Sequence, residues 1–353
     1  MFTLSILNNE IIDTLVNKYN LWRKNRLFVN NHTDIPELLI GDNGIPCFYY
    51  QDIESINNCT SSTIAVNCLT EGIHCKPIFD LYDPNKQYII FSNGWWDQSK
   101  VKLNFNYDLV WYYFFLFEYI DEYFSPSRFS FYFDRQYQFE DSKPMLFVST
   151  IGTARPERTY LVDQLLKQVN NKRYFLKYAG IDQTLSTSHL DIIPTNNEFD
   201  PYKILNNEYY YTISNSIPID LYNQCYFNLV VETDIDWDHE FMMTEKTVKA
   251  LISGIPFIIL STPNFLTNLQ KLGFKTYNEI WDESYDTVLD YQQRIQQIIK
   301  LINSLDKFDW QHHRNKLQTI AEYNYRHFAS LEKISEQCFL NFKDVIIKHE
   351  RRH

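Results

Sequence analysis

Short apolar runs alternate with polar turns along much of this chain, and their lengths are those of strands and helices. Two runs, Leu229–Val231 and Phe257–Leu260, predict buried strands. Between them, Val248, Leu251 and Ile252 recur at helical spacing and predict an amphipathic helix. A strand, a helix and a second strand in this order are typical of a parallel sheet that helices cover. The pattern therefore predicts an α/β fold.

Polar side chains gather where the first of these strands ends and the helix begins. Glu232 follows the strand directly, and Thr244, Glu245 and Lys246 stand at the start of the helix. Ligands of open α/β sheets bind at this edge, and a helix N-terminus offers free N–H groups to an anion. We therefore expect a phosphate site here. The alternatives are local roles: helix capping by Thr244, charge placement by Glu245, and solvated side chains at Glu232 and Lys246.

A second strand and helix are predicted from residue 145 onward, with a polar loop between them. Met145–Ser149 has the pattern of a strand. The helix after the loop is expected to bury four apolar side chains, Leu161, Leu165, Leu166 and Val169. Pro156 suits the first turn of this helix, which places Arg155 and Arg158 beside a strand's carboxyl end. An ion pair with Glu157 is the alternative role for these arginines.

The chain divides into three segments on this pattern. Residues 1–140 alternate apolar runs such as Leu38–Ile40 and Ile89–Phe91 with polar turns, and are expected to form an α/β domain. Residues 141–328 are expected to form a second, Rossmann-like domain, entered through a polar linker at 138–144. Residues 329–353 are expected to end the chain in a helix, for which a return to the first domain is one option. The helices expected after the second strand pair lie at 286–305, 320–328 and 331–347.

The order of three motifs resembles the donor-binding region of the α-1,3-fucosyltransferases and related GT-B glycosyltransferases. The motifs are Val231-Glu232-Thr233, then Phe241-Met242-Met243-Thr244-Glu245-Lys246, then Gly254-Ile255-Pro256-Phe257. The stretch 273–286 is similar to glycosyltransferases common in phages and large viruses. The resemblance implies a GT-B fold, which has two Rossmann-like domains with a cleft between them. It also implies that the second domain holds a nucleotide-sugar donor.

Transfer of a sugar from such a donor requires neutralisation of the diphosphate that leaves. The resemblance implies that Arg158 and Lys246 supply this charge, with Arg155 beside them in the donor site. Glu232 and Glu245 are expected to accept hydrogen bonds from ribose or sugar hydroxyls, and Glu232 is counted with the catalytic groups. Transfer to an acceptor hydroxyl is expected to proceed with inversion. No cofactor is expected, because the nucleotide sugar is a co-substrate.

A general base is expected in the first domain, on a loop that follows a strand. Asp97 fits this position because it follows the run Ile89–Phe91, a glycine turn at Gly94, and the pair Trp95 and Trp96. Tryptophan rings are suitable platforms for an acceptor sugar or base. The equally weighted alternative is a plain turn with two core tryptophans. The weaker candidates for the base are Asp80, Asp83, Asp121 and Glu122.

An alternating run of carboxylates follows the strand that ends at Glu232, and it raises the question of a metal. Asp234, Asp236 and Asp238 are oxygen ligands of the kind that Mg²⁺ binds, and Asp-x-Asp holds such a metal in GT-A enzymes. The motif is short, and an acidic exposed loop is the simpler interpretation. Since Thr244-Glu245-Lys246 supplies a cation, we expect the reaction to be independent of metal.

Charge and composition limit the partners. The net charge is −11, which counts against binding of duplex DNA as a bulk partner. A glycan acceptor is therefore expected, with a hydroxymethylated nucleobase in DNA as the alternative and a non-catalytic nucleotide- or glycan-binding module as a second one. The six cysteines fit no common zinc pattern. Without an apolar run of membrane-spanning length or a signal peptide, we expect a cytoplasmic protein, in the host cytoplasm if it is viral.

Overall fold

A computed structural model describes residues 46–68, 76–112, 137–152, 154–170, 173–178, 217, 219–236, 240–328 and 345 of the chain. The chain divides into two compact units. Among the described residues, the first unit contains 46–112 and 240–243, and the second unit contains 137–236 and 244–328. Each unit is an α/β structure with its own parallel sheet.

The first unit is built on a parallel sheet with the strand order β1-β2-β3-β5. Its strands are β1 (Cys47–Tyr49), β2 (Thr63–Cys68), β3 (Gln87–Asn93) and β5 (Asn106–Tyr112). Two described helices, α1 (Ile53–Asn58) and α2 (Lys76–Phe79), connect the first three strands. A two-stranded antiparallel ribbon joins β4 (Trp95–Trp96) to β9 (Glu240–Phe241). The predicted strand at Ile89–Phe91 is confirmed within β3, whereas Leu38–Ile40 lies outside the described residues.

The two inner strands of this sheet are buried along nearly their whole length because both faces of the sheet are covered. Every residue of β2 is buried, and so is every residue of β3 after Gln87. Gly94 makes the sharp turn from β3 into β4 at φ 83°. A Cβ at this position would lie 2.0 Å from the carbonyl oxygen of Phe241, so the approach of β9 requires glycine.

The second unit holds a second parallel sheet with the order β10-β8-β6-β7. Its strands are β6 (Met145–Ile151), β7 (Tyr174–Tyr178), β8 (Cys225–Val231) and β10 (Phe257–Leu260). Its helices are α3 (Pro156–Gln168), α4 (Ile219–Tyr222), α5 (Glu245–Ser253), α6 (Phe265–Lys271), α7 (Tyr291–Leu305) and α8 (Trp310–Phe328), with a 3₁₀ turn at Ser284–Thr287. The predicted strands of this sheet and the predicted helix between β8 and β10 are confirmed.

The strand order of the second sheet contains a reversal of direction. Strand β6 comes first in the chain and pairs with β7 on one side and β8 on the other. The chain therefore steps outward to β7, crosses back over β6 to β8, and then continues to β10. Such a reversal leaves a crevice at the carboxyl ends of the two central strands, here β6 and β8. This topology is Rossmann-like, as the sequence predicted.

Two helices of the second unit differ from their predicted bounds because of local capping. The helix expected from residue 286 begins at Tyr291, since the Asp290 carboxylate accepts a hydrogen bond from the N–H of Gln293 at 2.8 Å. The helix expected from residue 320 begins at Trp310, and the Asp309 carboxylate accepts from the N–H of His312 at 2.9 Å. The predicted helix at 331–347 lies outside the residues that the structure describes, apart from 345. In α3, Leu161, Leu165 and the following Val169 are buried, whereas Leu166 is half-buried.

The polar segment before β6 is anchored in the second unit. The N–H of Tyr137 donates to the carbonyl of Ser253 at 2.9 Å, and its hydroxyl donates to the carbonyl of Cys225 at 2.8 Å. Lys143 is 3% exposed and donates to the carbonyls of Gln138 and Asn223 at 2.5 and 2.6 Å. Burial lowers the pKa of this ammonium group. The second unit therefore already includes residue 137, ahead of the expected start at residue 141.

Candidate functional site

The polar residues predicted for the donor site meet at the crevice of the second sheet. Strand β6 leads through a short loop to Arg155 and Arg158 at the start of α3. Strand β8 ends one residue before Glu232, and Thr244 to Lys246 begin α5. The two central strands and the two helices that begin beside them thus bring these side chains to one edge. We call this set of residues the switch-point site.

The carboxylate of Glu232 lies at the centre of the switch-point site and is fully buried. One oxygen accepts hydrogen bonds from the N–H of Thr244 at 3.2 Å and from the hydroxyl of Thr247 at 2.5 Å. The other oxygen accepts from the hydroxyl of Thr244 at 2.5 Å. These bonds tie the end of β8 to the first turn of α5. The structure therefore gives Glu232 a local role in fixing this helix, and its contact with a ribose or sugar hydroxyl stays a prediction.

Thr244 is the N-cap of α5, as the capping alternative predicted. Its hydroxyl oxygen accepts from the N–H and the ammonium group of Lys246 at 3.4 and 3.2 Å while it donates to Glu232. At the other end of the helix, Gly254 adopts the left-handed conformation with φ 78°. The helix is thus terminated at both ends by local geometry, and its positive end faces the crevice.

Lys246 and Glu245 form an ion pair at the first turn of α5. The ammonium nitrogen lies 2.6 Å from a carboxylate oxygen, and the two side chains are only 19% and 14% exposed. Burial acts to raise the pKa of Glu245, but the charges of Lys246 and Lys249 and a hydrogen bond from Lys246 outweigh it and lower the pKa. Glu245 is therefore an anion that keeps the ammonium group of Lys246 near the helix N-terminus.

The two arginines at the start of α3 reach the residues that follow β8. Arg155 pairs with the carboxylate of Asp234 at 3.0 Å and donates to the carbonyl of Thr233 at 3.2 Å. Arg158 is 3% exposed and donates to the carbonyl of Glu232 at 2.9 Å. Burial and the nearby charge of Arg155 lower the pKa of Arg158, against the opposing effect of neighbouring carboxylates. The ion pair of Arg155 is thus with Asp234, and not with Glu157.

Two residues at this edge have roles that the sequence did not indicate. Ser261, which follows β10, donates to the carbonyl of Asp234 at 3.4 Å. Arg294, on α7, is 1% exposed and donates to the carbonyl of Ile235. The sequence could have drawn attention to Arg294, because this residue lies four positions before Ile298 on the apolar face of its helix. A charged residue at a core position requires a specific partner.

Of the carboxylates considered as metal ligands, one forms an ion pair and another is exposed to solvent. Asp234 is 3% exposed and holds Arg155, whereas Asp236 is exposed and Asp238 lies outside the described residues. Within the described part of the chain, no group of three or more His, Cys, Asp or Glu side chains is placed to hold a metal ion.

The residues predicted for the acceptor and the base lie in the first unit. Asp97 follows β4 and is half-buried; one carboxylate oxygen accepts from the N–H and hydroxyl of Ser99 at 3.1 and 2.6 Å. Trp95 is half-buried, whereas Trp96 is 3% exposed and lies 5.9 Å from the ring of Phe79. The burial of Trp96 matches the alternative of a core tryptophan, and its role with an acceptor stays a prediction.

The other candidates for the base are engaged locally or lie outside the described ranges. Asp80 pairs with Lys76 at 2.6 Å, and Asp83 accepts from the N–H of Asn85 at 2.9 Å. Asp121 and Glu122 fall among residues that the structure does not describe.

Comparison with known proteins returns neither a matching family model nor a matching curated protein. Among the helices of the described residues, none has the length and apolar character that a membrane crossing requires. The functional assignment therefore depends on the geometry of the site.

Proposed function

We propose that the second unit binds the diphosphate of a nucleotide sugar and that the protein is a glycosyltransferase of the GT-B type. One observation carries the proposal: Arg155, Arg158 and Lys246 meet at the carboxyl ends of β6 and β8, where the strand order reverses. This is the position at which open α/β sheets bind nucleotides. The resemblance to the fucosyltransferase donor region leads to the same residues.

The cations suit a leaving diphosphate in complementary ways. A guanidinium group binds two phosphate oxygens at once, whereas an ammonium group acts as a point charge. Arg155 is 31% exposed and Lys246 is 19% exposed, so both reach the solvent side of the site. Asp234 and Glu245 hold these two cations before a ligand arrives. Charge that is already positioned stabilises a developing diphosphate without reorganisation.

In the proposed reaction the acceptor hydroxyl of a glycan attacks the anomeric carbon of the donor sugar. The bond between that carbon and the diphosphate breaks, and the configuration inverts. Asp97 of the first unit takes the proton of the hydroxyl, and Trp95 contacts the acceptor. The three cations of the switch-point site neutralise the leaving group, so the reaction needs no divalent metal.

Binding of nucleoside diphosphates tests the proposal directly. Thermal unfolding is followed with ADP, CDP, GDP, UDP and dTDP in turn, and any hit is measured by calorimetry. A ligand that binds only the folded protein raises the melting temperature, and the corresponding monophosphate is expected to bind more weakly. If none of the five diphosphates binds at millimolar concentration, the proposal is overturned.

A second measurement distinguishes an enzyme from a binding module. The protein is incubated with the sugar derivatives of the nucleotide that binds, and free nucleoside diphosphate is quantified. Slow release without an acceptor, accelerated by a glycan mixture, supports a transferase. Binding with no release under either condition indicates the non-catalytic alternative.

A further inference from the structure

The loop that follows β8 is held through its backbone by side chains from three other parts of the second unit. We call residues 232–235 the β8 loop. Each of its four carbonyls accepts a hydrogen bond from a side chain. The pairs are Arg158 with Glu232 at 2.9 Å, Arg155 with Thr233 at 3.2 Å, Ser261 with Asp234 at 3.4 Å, and Arg294 with Ile235.

In a trans peptide group the N–H points away from the carbonyl, so a side chain that binds the carbonyl also fixes the direction of the N–H. None of the hydrogen bonds within the described residues uses the N–H of Thr233 or Ile235. Backbone N–H groups that lie next to cationic side chains are available to donate to an anion. The geometry of the β8 loop therefore matters for any phosphate bound at the switch-point site.

Arg294 has both of its terminal guanidinium nitrogens bound to backbone carbonyls. Its side chain is 1% exposed, and its guanidinium group also donates to the carbonyls of Val288 and Leu289. It therefore joins the β8 loop to the segment that precedes α7. That segment is fixed in turn, because the carboxylate of Asp286 accepts from the N–H groups of Leu266 and Thr267 at the start of α6.

A guanidinium group is suited to this position because its N–H donors spread in a plane. Arg294 uses one terminal nitrogen for Ile235 and the other for Val288 and Leu289. A lysine has a single nitrogen and cannot hold both segments in the same geometry. An apolar side chain would leave all of these carbonyls without the arginine's donors.

We propose that Arg294 is a positioning residue for the switch-point site, which acts by holding the carbonyl of Ile235 and so setting the β8 loop. This inference rests on the proposed function, since the loop matters through the diphosphate that it helps to bind. The path from Arg294 to the ligand runs through Asp234, whose carboxylate holds Arg155. Arg294 thus contributes to diphosphate affinity without contacting the ligand.

The test uses inorganic pyrophosphate as the probe and calorimetry as the measurement. Arg294→Gln removes the charge, and Arg294→Lys keeps the charge and removes the planar geometry. Arg314→Gln is the matched control, because Arg314 is 41% exposed and pairs with Asp141 in the same unit. All variants are titrated at a temperature at which circular dichroism shows them fully folded. Under that condition a loss of stability alone leaves the affinity unchanged.

We expect both Arg294 variants to bind pyrophosphate about tenfold more weakly than the wild type, and the control to bind equally well. Wild-type affinity in Arg294→Gln overturns the inference and leaves the proposed function standing. Wild-type affinity in Arg294→Lys alone shows that charge matters and geometry does not, which also overturns it. If the wild-type protein binds neither pyrophosphate nor any nucleoside diphosphate, the proposed function fails first.

A double-mutant cycle with Arg155→Ala tests the path. Because Arg294 is proposed to act through the loop that holds Arg155, the two losses of affinity should not add. Full additivity contradicts the proposed path. If both Arg294 variants fail to fold, Ser261→Ala releases another carbonyl of the same loop, and a loss of affinity of about threefold is expected. Unchanged affinity in that variant overturns the inference.

Discussion

The hydroxyl of Thr247 donates a hydrogen bond to the buried carboxylate of Glu232 at 2.5 Å. Thr247 lies in the first turn of α5, and Glu232 is the residue after β8, so this bond joins a strand end to a helix start. The N–H and hydroxyl of Thr244 complete the arrangement. A carboxylate held by a helix N-terminus stabilises the helix and fixes its direction. The position of Lys246 at the crevice follows from this attachment.

Replacement of Glu232 is expected to destabilise the second unit. Glu232→Ala leaves three buried donors without their acceptor and should lower the free energy of unfolding by about 2–4 kcal/mol. Glu232→Gln should lower it by about 1–3 kcal/mol, because its amide N–H₂ faces a threonine oxygen that already accepts from Lys246. Urea unfolding followed by circular dichroism measures both changes.

The matched control for Glu232 is Glu279→Gln, since Glu279 is an exposed carboxylate in the same unit. It is expected to leave the unfolding free energy nearly unchanged. A Glu232→Ala variant as stable as the control would show that the three hydrogen bonds contribute no net stability.

Loss of the Lys246 ammonium group is expected to weaken binding of a nucleoside diphosphate. A hydrogen bond between charged groups contributes about 1.5–3 kcal/mol, so Lys246→Ala should raise the Kd by about 10- to 100-fold. Calorimetry measures the change with the nucleotide that binds the wild type most tightly. Lys316→Ala is the control because Lys316 pairs with the exposed Glu279. Equal affinity of Lys246→Ala and the wild type would remove Lys246 from the site.

Catalytic turnover is expected to survive chelation of divalent metals. Arg155, Arg158 and Lys246 supply the positive charge at the site, and the carboxylate of Asp234 is engaged with Arg155. Release of nucleoside diphosphate from the nucleotide sugar, measured with and without EDTA, should differ by less than about twofold. If EDTA abolishes release and Mg²⁺ or Mn²⁺ restores it, Asp234 and Asp236 become the candidate ligands.

The stability of the second unit is expected to depend on the ionisation of Glu283. Burial raises its pKa to about 7, the carboxylates of Asp286 and Asp282 add to this, and the Thr276 side chain and Tyr277 N–H oppose it. Since the folded protein favours the protonated form, ionisation costs stability as the pH rises from the unfolded pKa towards the folded one. Glu283→Gln removes this cost and keeps an acceptor for the N–H of Tyr277.

The variant should therefore gain stability relative to the wild type between about pH 4.5 and 7, and the difference should be constant above that range. Its size is on the order of 1–3 kcal/mol. Parallel urea unfolding of both proteins at pH 5, 6, 7 and 8 measures it. A difference that does not change with pH would contradict the raised pKa.

The sequence predicted the sheet strands and their helices where apolar spacing carries the information. The runs at Leu229–Val231 and Phe257–Leu260 are buried strands because both faces of a parallel sheet are covered. Because the helix is the next element after the strand, the sequence placed Glu232 at the end of β8 and Lys246 at the start of α5. Helix starts at Tyr291 and Trp310 were missed because single capping carboxylates decide them.

Apolar spacing does not predict which side chains form hydrogen bonds and ion pairs within the switch-point site. Arg294 binds backbone carbonyls, and no pattern of side chains encodes which carbonyls a distant arginine will meet. The alternative role for Arg155 was an ion pair with its neighbour Glu157, whereas the fold brings Asp234 to it across 79 residues. Such pairs depend on how two loops approach each other, and that approach is decided by packing elsewhere in the sheet.

Asp97 is the residue that we expect to act as the general base, and its local structure makes a clean test available. Its carboxylate accepts from the N–H and hydroxyl of Ser99, and an asparagine preserves that acceptor. Asp97→Asn therefore keeps the turn after β4 and removes the group that takes the proton. We expect kcat to fall by about two orders of magnitude or more, with the affinity for the donor nucleotide nearly unchanged. Asp52→Asn is the control, because Asp52 is an exposed carboxylate in the same unit. Near-normal kcat in Asp97→Asn would transfer the role to Asp80, Asp83, Asp121 or Glu122, and an equal loss in Asp52→Asn would show that the effect is not specific to Asp97.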